Sequence, residues 1–328
     1  MDDLTKLRIC VQKIGPSEQD EHNKILHNNM SVKHTEKLKA AFWSQKLWKK
    51  GSRIRIGFTE IGQDVEYTNI NIGPYTDPLQ KNIKNMSPQD IVKKIVNERI
   101  KPLVNLDIEF VENLSEANVR ISFDPYGGAW SLVGTDHLSE KINPTMNFGW
   151  IDVQTVIHEM GHMLGMIHEH QNPRGQTIDW NAQKVFEWAK QGQGWDEETT
   201  ENNIIKKYDF DSINGSSFDP QSIMLYYFPA KLTNNNVGTQ ENQRLSGLDV
   251  KWIHDMYPKD SPTPEDFYKD IYKESLYSSI KKSEKMAKTG KTEQTGQTGP
   301  VNLKLIYFIL FIIGLFLLIG LIKWLSRI

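Results

Sequence analysis

One cysteine, Cys10, stands in a chain of 328 residues, so no intramolecular disulfide can form. That absence favours a reducing compartment and leaves stability to the packed core. An excess of charge is also missing. The formal net charge is −2, so neither nucleic acid nor an acidic surface is implied as the main partner. The opening stretch, MDDLTKLRICVQKIGPSEQDEHNK, has no apolar centre of signal-peptide length, and no secretory signal is expected. No repeat of fixed period is present. With 38% apolar and 24% charged residues the chain can still bury a core, as one large or two smaller domains.

Long apolar runs are absent but for one. Leu305–Ile322, LIYFILFIIGLFLLIGLI, is eighteen residues without charge between Lys304 and Lys323. That is about the least a helix needs to cross a hydrocarbon core. A buried helix of that length would normally show a polar stripe, so a transmembrane helix is expected. Six lysines precede it between Lys281 and Lys304, and only Lys323 and Arg327 follow. The positive-inside bias then keeps the large N-terminal part on the cytosolic side of a tail anchor.

Elsewhere the pattern is that of a folded domain. RIRIGF (Arg53–Phe58) alternates charged and apolar groups and reads as a half-buried strand. SPQD at Ser87–Asp90 is a helix start, with apolar residues from Ile91 to Val104 following at helical spacing. Leu106–Glu112, Asn118–Asp124 and Ala129–Thr135 read as further strands, so a mixed sheet with a helix on one face is expected. Residues 171–257 read as irregular, ending in a short helix at Gly247–Tyr257. The expected divisions are an N-terminal polar segment at 1–45 (a candidate pro-region), a catalytic domain at 46–258, a polar Lys/Glu/Thr-rich linker at 259–304 whose first half is a candidate helix, the span at 305–322 and a short tail at 323–328.

Four of the nine histidines crowd into Val156–His170, VIHEMGHMLGMIHEH. His158 and His162 are four apart and share one helix face, close enough to grip one cation. Glu159 sits beside the first of them. Two imidazoles holding zinc, with a glutamate to manage the proton of an activated water, is the chemistry of HExxH. Gly165 can take a left-handed backbone and end the helix, which lets His168 return as a third ligand. Satisfied histidines on an ordinary amphipathic helix are the plain alternative. Val156, Ile157, Met160, Met163, Leu164 and Ile167 would anchor the other side in the core.

HEMGHMLGMIHEH resembles the metzincin zinc peptidases, and Glu169 narrows the likeness to the astacin family, whose pattern is HExxHxxGxxHE. SIMLY at Ser222–Tyr226 is similar to the astacin Met-turn, S-x-M-x-Y. KLWKKGSRIRIGF, AWSLVGTDHL, TMNFGW and HEHQNPRG resemble the bacterial, fungal and viral branch, and the likeness spans about residues 43–258. It implies an α+β, two-lobed metzincin domain with a mixed twisted sheet and an active-site helix. It implies one catalytic Zn²⁺ on His158, His162 and His168, Glu159 as general base, and Tyr226 as a displaceable ligand that stabilises the oxyanion. Met224 would floor the site. Glu169 would be structural near it, and whether it receives an amino terminus stays open. Trp130 and Ser131 are candidate substrate subsites on an edge strand, with an ordinary buried strand the equal alternative. His170 is read as structural. Cys10 is read as an inert thiol, with a zinc-capping latency role as the lesser alternative.

The expected function is a zinc endopeptidase acting on protein or peptide substrates and tethered to a membrane. A virion or host intracellular membrane suits the branch resemblance. The alternative is a membrane-anchored binding or structural protein with a non-catalytic zinc site, against which the intact Glu159 argues.

Overall fold

A computed structural model describes residues 11–13, 42–59, 65–68, 73, 75–139, 143–173, 178–208, 213–214 and 218–289. In β3 (Arg53–Phe58), Ile54 and Ile56 are buried and Arg53 is exposed, as the alternation requires. β3 pairs in parallel with β5 (Asp107–Phe110) on one side and β6 (Val119–Ser122) on the other. The remaining strands are β1 (Val11–Lys13), β2 (Phe42–Trp43), β4 (Glu66–Tyr67), β7 (Trp130–Leu132), β8 (Met146–Asn147), β9 (Trp150–Ile151) and β10 (Ile213–Asn214). The main sheet has the order β1-β7-β8-β6-β3-β5, with β7 antiparallel to β8 and the other pairs parallel. It is the mixed sheet the strand order called for. β3 spans its expected stretch in full, while β5, β6 and β7 are one residue shorter at their starts and two or three at their ends, since pairing stops where the sheet twists away.

α1 (Pro88–Ile95) starts as its sequence dictates. Ser87 caps it by accepting the Asp90 N–H at 3.2 Å, and Pro88 takes the first helical position. Ile91, Val92 and Ile95 are buried with the sheet residues Ile54, Ile56, Val119 and Ile121 in one large core. The same core takes in α2 (Val153–Met163) and α5 (Gly247–Met256). A smaller core gathers on α3 (Ala182–Gln193), where Val185, Trp188 and Ala189 pack with Tyr226, Phe228 and Leu232. A short α4 (Glu197–Thr200) follows.

One expectation is corrected. Residues 171–257 are not simply irregular: α3 occupies twelve of them, capped by Asn181, which accepts the Lys184 N–H at 3.2 Å. Its buried residues recur at helical spacing, thinly enough to be masked by surrounding polar residues. The polar stretch from residue 259, a candidate helix in its first half, forms two helices there. α6 (Pro264–Tyr272) and α7 (Leu276–Thr289) bury Phe267, Tyr268, Tyr272 and Leu276 against the main core, and Met286 is buried as well. Thr263 caps α6 by accepting the Asp266 N–H at 3.2 Å. The expected membrane span at Leu305–Ile322 lies outside the described residues, as do the end of the linker and Cys10. Among the described residues no helix is long and apolar enough to cross a membrane.

Candidate metal centre

α2 carries the first two histidines on its buried face. Asp152 caps its N-terminus, accepting the Thr155 N–H at 2.7 Å, and Gln80 accepts the Val153 N–H at 2.9 Å. The helix stops at Gly165, whose φ of +97° lies in the region L-residues avoid. Gly165 N donates to His162 O at 2.8 Å and Met166 N to Gly161 O at 2.9 Å, which closes the helix end and redirects the chain. His168 then returns to the other two. One ligand nitrogen from each of His158, His162 and His168 lies within 4.8 Å of the others.

The tautomers follow from what the Nδ1 atoms touch. His158 Nδ1 lies 2.9 Å from Ile223 O, and His162 Nδ1 lies 2.8 Å from Met166 O. Carbonyl oxygens only accept, so both Nδ1 atoms carry the proton. His168 Nδ1 lies 3.3 Å from Gln171 Oε1. The Gln171 amide donates to Asn202 O and Lys206 O at 2.7 and 3.0 Å, which turns its oxygen toward His168. Every Nε2 therefore presents a lone pair. His158 Nε2 is buried without a hydrogen-bond partner, and the Nε2 atoms of His162 and His168 face each other at 3.1 Å. Lone pairs converging in a dry place are stable around a cation and costly otherwise. The donor set fits a tetrahedral zinc ion held by three imidazoles with one position open.

Burial keeps these rings neutral. It lowers His158 to about 4 and holds His162 and His168 well below the usual histidine range. It also lowers His137 and His170 to about 3 each. A depressed histidine makes the folded state bind fewer protons than the unfolded one below the ordinary value of 6.5. Its stabilising effect is complete above that value and is lost as pH falls toward 4. The metal-free protein should thus show a Tm that drops steeply from pH 7 to pH 5. A flat Tm across that range would contradict neutral burial.

Glu159, next to the first ligand, is fully buried. Tyr226 hydrogen-bonds through its hydroxyl to His168 Nε2, and its ring stacks 5.5 Å from that of His158. Met224 is fully buried, and a Cβ on Gly161 would stand 2.6 Å from its sulfur. Gly161 is therefore what lets the Met-turn come this close to α2, a role the motif reading missed. Gly161→Ala should destabilise the metal-free fold by about 1–3 kcal/mol through overpacking. Thermal unfolding checks this, and an unchanged Tm would place Met224 elsewhere.

The other expected residues fall as follows. Glu169 is buried beneath the Met-turn, where its Oε1 accepts the Asp219 N–H at 2.9 Å and the Asn172 amide at 3.1 Å. Burial and the nearby Asp219 charge push its carboxyl well up. His170 is buried with its Nε2 3.0 Å from Asn203 O, stacked 5.3 Å behind His168. Trp130 and Ser131 lie in β7, both buried. Ser131 Oγ donates to Leu132 O at 2.7 Å and sits 3.2 Å from His137 Nε2, so its side chain is engaged inward. β1 pairs in parallel along β7, Val11 against Trp130 and Lys13 against Leu132.

Asp249 was missed altogether. Its Oδ2 accepts the N–H groups of Ile223 and Ser246 at 2.8 and 2.9 Å, and its Oδ1 accepts the Ser222 hydroxyl at 2.7 Å. It fixes the N–H of Ile223, the residue whose carbonyl oxygen holds His158. The sequence signal was the capping box Ser246–Asp249 at the start of α5.

The family model of the Astacin peptidases matches residues 83–258. Among solved structures, one of myroilysin is 30% identical, covers 67% of this chain and 100% of its own, and superposes with a TM-score of 0.55. A second myroilysin crystal structure is 25% identical over 79% of this chain and 94% of its own, at 0.46. High choriolytic enzyme 1, a hatching enzyme zinc-protease of the medaka fish Oryzias latipes, is 16% identical over 67% and 97%, at 0.39. No curated protein matches the chain.

Proposed function

The chain belongs to the astacin family and is a zinc metalloendopeptidase, and from that premise we propose how its own residues divide the work and where it does it. The carrying observation is the convergence of three Nε2 lone pairs beside Glu159 and the Tyr226 hydroxyl. His158, His162 and His168 would hold one zinc ion. Bound there, zinc polarises a carbonyl and brings the pKa of water toward about 7.

Glu159, one residue along α2 from His158, takes the proton from the attacking water and hands it to the departing amine. Its burial excludes bulk water that would dilute this exchange. Tyr226 swings its hydroxyl from His168 to the developing oxyanion and donates there. The backbone of β7 receives the substrate as an added strand. Trp130 adds an apolar wall, and Ser131 contributes through its backbone alone. Residues 1–45 act as a pro-region, supported by the lie of β1 on the edge that substrate would use.

The test is metal dependence on a denatured protein substrate. Chelation should abolish hydrolysis, and one equivalent of zinc should restore it. Hydrolysis that survives chelation would sink the proposal.

A tether to a membrane completes the reading. Its support is the uncharged run Leu305–Ile322. Since α6 and α7 pack into the core, a cut that frees the domain must fall after Thr289. Ending the chain at residue 258 should give aggregated protein, and ending it at residue 290 a folded peptidase. Extraction of both without detergent, followed by thermal unfolding, decides this.

A further inference from the structure

The family match ends at residue 258, and two helices follow it. On α7, Ser279 and Ser283 are four apart and face inward, both buried. Ser279 Oγ accepts the N–H of Gly247, the first residue of α5, at 3.1 Å and lies 2.9 Å from the Tyr268 hydroxyl of α6. Ser283 Oγ donates to Gln221 Oε1 at 3.0 Å, and the backbone N–H of Gln221 donates to Asp219 Oδ1 at 2.9 Å.

Those contacts lead directly to the metal centre. Asp219 accepts the Ser246 hydroxyl at 2.6 Å, and Ser246 caps Asp249 N at 2.9 Å. Asp249 holds Ile223 N, and Ile223 O holds His158 Nδ1. A second route begins on α6. The Tyr272 hydroxyl donates to Asp77 at 3.1 Å, and Arg99 grips the same carboxylate with two bonds of 2.8 Å. Asp77 caps the turn Pro78–Asn82 through Leu79 N at 2.8 Å. From that turn Gln80 accepts Val153 N, the first N–H of α2.

The helix pair thus reaches the zinc helix twice, at its N-terminus and at its first ligand. We propose that α6 and α7, which lie beyond the family match, form a positioning element of the zinc site. Ser279 and Ser283 are its positioning residues, acting on His158 through Asp249 and the residue Ile223. The pair is absent from the chemistry itself. It restricts the ring whose Nε2 must meet the metal; direct partners of a ligand are worth about 10–100-fold in affinity or rate, and these residues act further out, at the low end of that range. The inference rests on the peptidase reading, but its test does not depend on turnover.

The test compares the full chain with a Ser279→Ala/Ser283→Ala double variant and with each single variant. Ile54→Val, a core change remote from both routes, serves as a control for stability loss. Zinc release to a chelator dye, the visible spectrum of the cobalt-substituted protein, kcat and KM are read on each. The double variant should release zinc about 10-fold faster, shift the cobalt bands and lower kcat about 10-fold, with KM within twofold. If it fails to fold, the single Ser283→Ala variant should show the same signs at smaller size. Wild-type zinc release with an unshifted cobalt spectrum would overturn the proposal. So would equal changes in Ile54→Val at a matched loss of Tm. A wild-type chain that binds zinc but cleaves nothing would sink the peptidase reading alone, leaving the cobalt spectrum to decide the positioning role.

Discussion

Glu159→Gln lowers kcat by about 10³–10⁴-fold while the protein keeps its full equivalent of zinc. The size follows from what a positioned acid–base group contributes, up to about 10⁴. The retention of metal follows from geometry. The converging nitrogens belong to His158, His162 and His168, and the Glu159 carboxylate is outside that set. Glutamine keeps the shape of glutamate and its buried place in α2 but cannot take a proton at neutral pH. His158→Ala makes the contrast, since it removes a ligand and should lose zinc and activity together. Kinetics and metal content measured on one sample separate the two. Zinc-loaded Glu159→Gln protein that turns over within 10-fold of wild type would mean the proton is carried elsewhere.

The parts of this site that could be read from sequence are those whose chemistry demands a residue type at a fixed spacing. Two imidazoles four apart, a glycine to end the helix and a third imidazole three later leave few alternatives. β3 and α1 were readable for a related reason, because one buried face imposes a period of 2.0 or 3.6. Asp249 was not, since its work is done on Ile223, 26 positions away, through contacts that only the fold creates. α6 and α7 were legible only as a candidate helix in the first half of the polar stretch, because Phe267, Tyr268, Tyr272 and Leu276 are few among many charges. Ser131 shows the limit of the strand pattern. A strand pattern says that a side chain alternates, but not which side meets His137 and which the cleft.

Removing the N-terminal segment tests the largest remaining claim. β1 runs parallel to β7 in the register Val11 to Trp130, Gln12 to Ser131 and Lys13 to Leu132. A peptide substrate added to β7 needs those same backbone groups, and each can bond only one neighbour on that side. Residues 11–13 are part of the same chain, so their effective concentration at β7 is on the order of millimolar. An intramolecular competitor lowers kcat/KM by its effective concentration divided by its own dissociation constant, so a segment that binds with a constant of about 10 μM costs about 10²-fold. A chain starting at Ala41, which keeps the buried β2 residues Phe42 and Trp43, should therefore gain about 10²-fold in kcat/KM. The gain should come through KM, because neither the zinc ligands nor Glu159 is altered. A synthetic peptide of residues 8–20 added back should inhibit the shortened enzyme competitively. Equal kcat/KM for the two chains, with both folded and zinc-loaded, would mean that β1 does not stand where substrate binds.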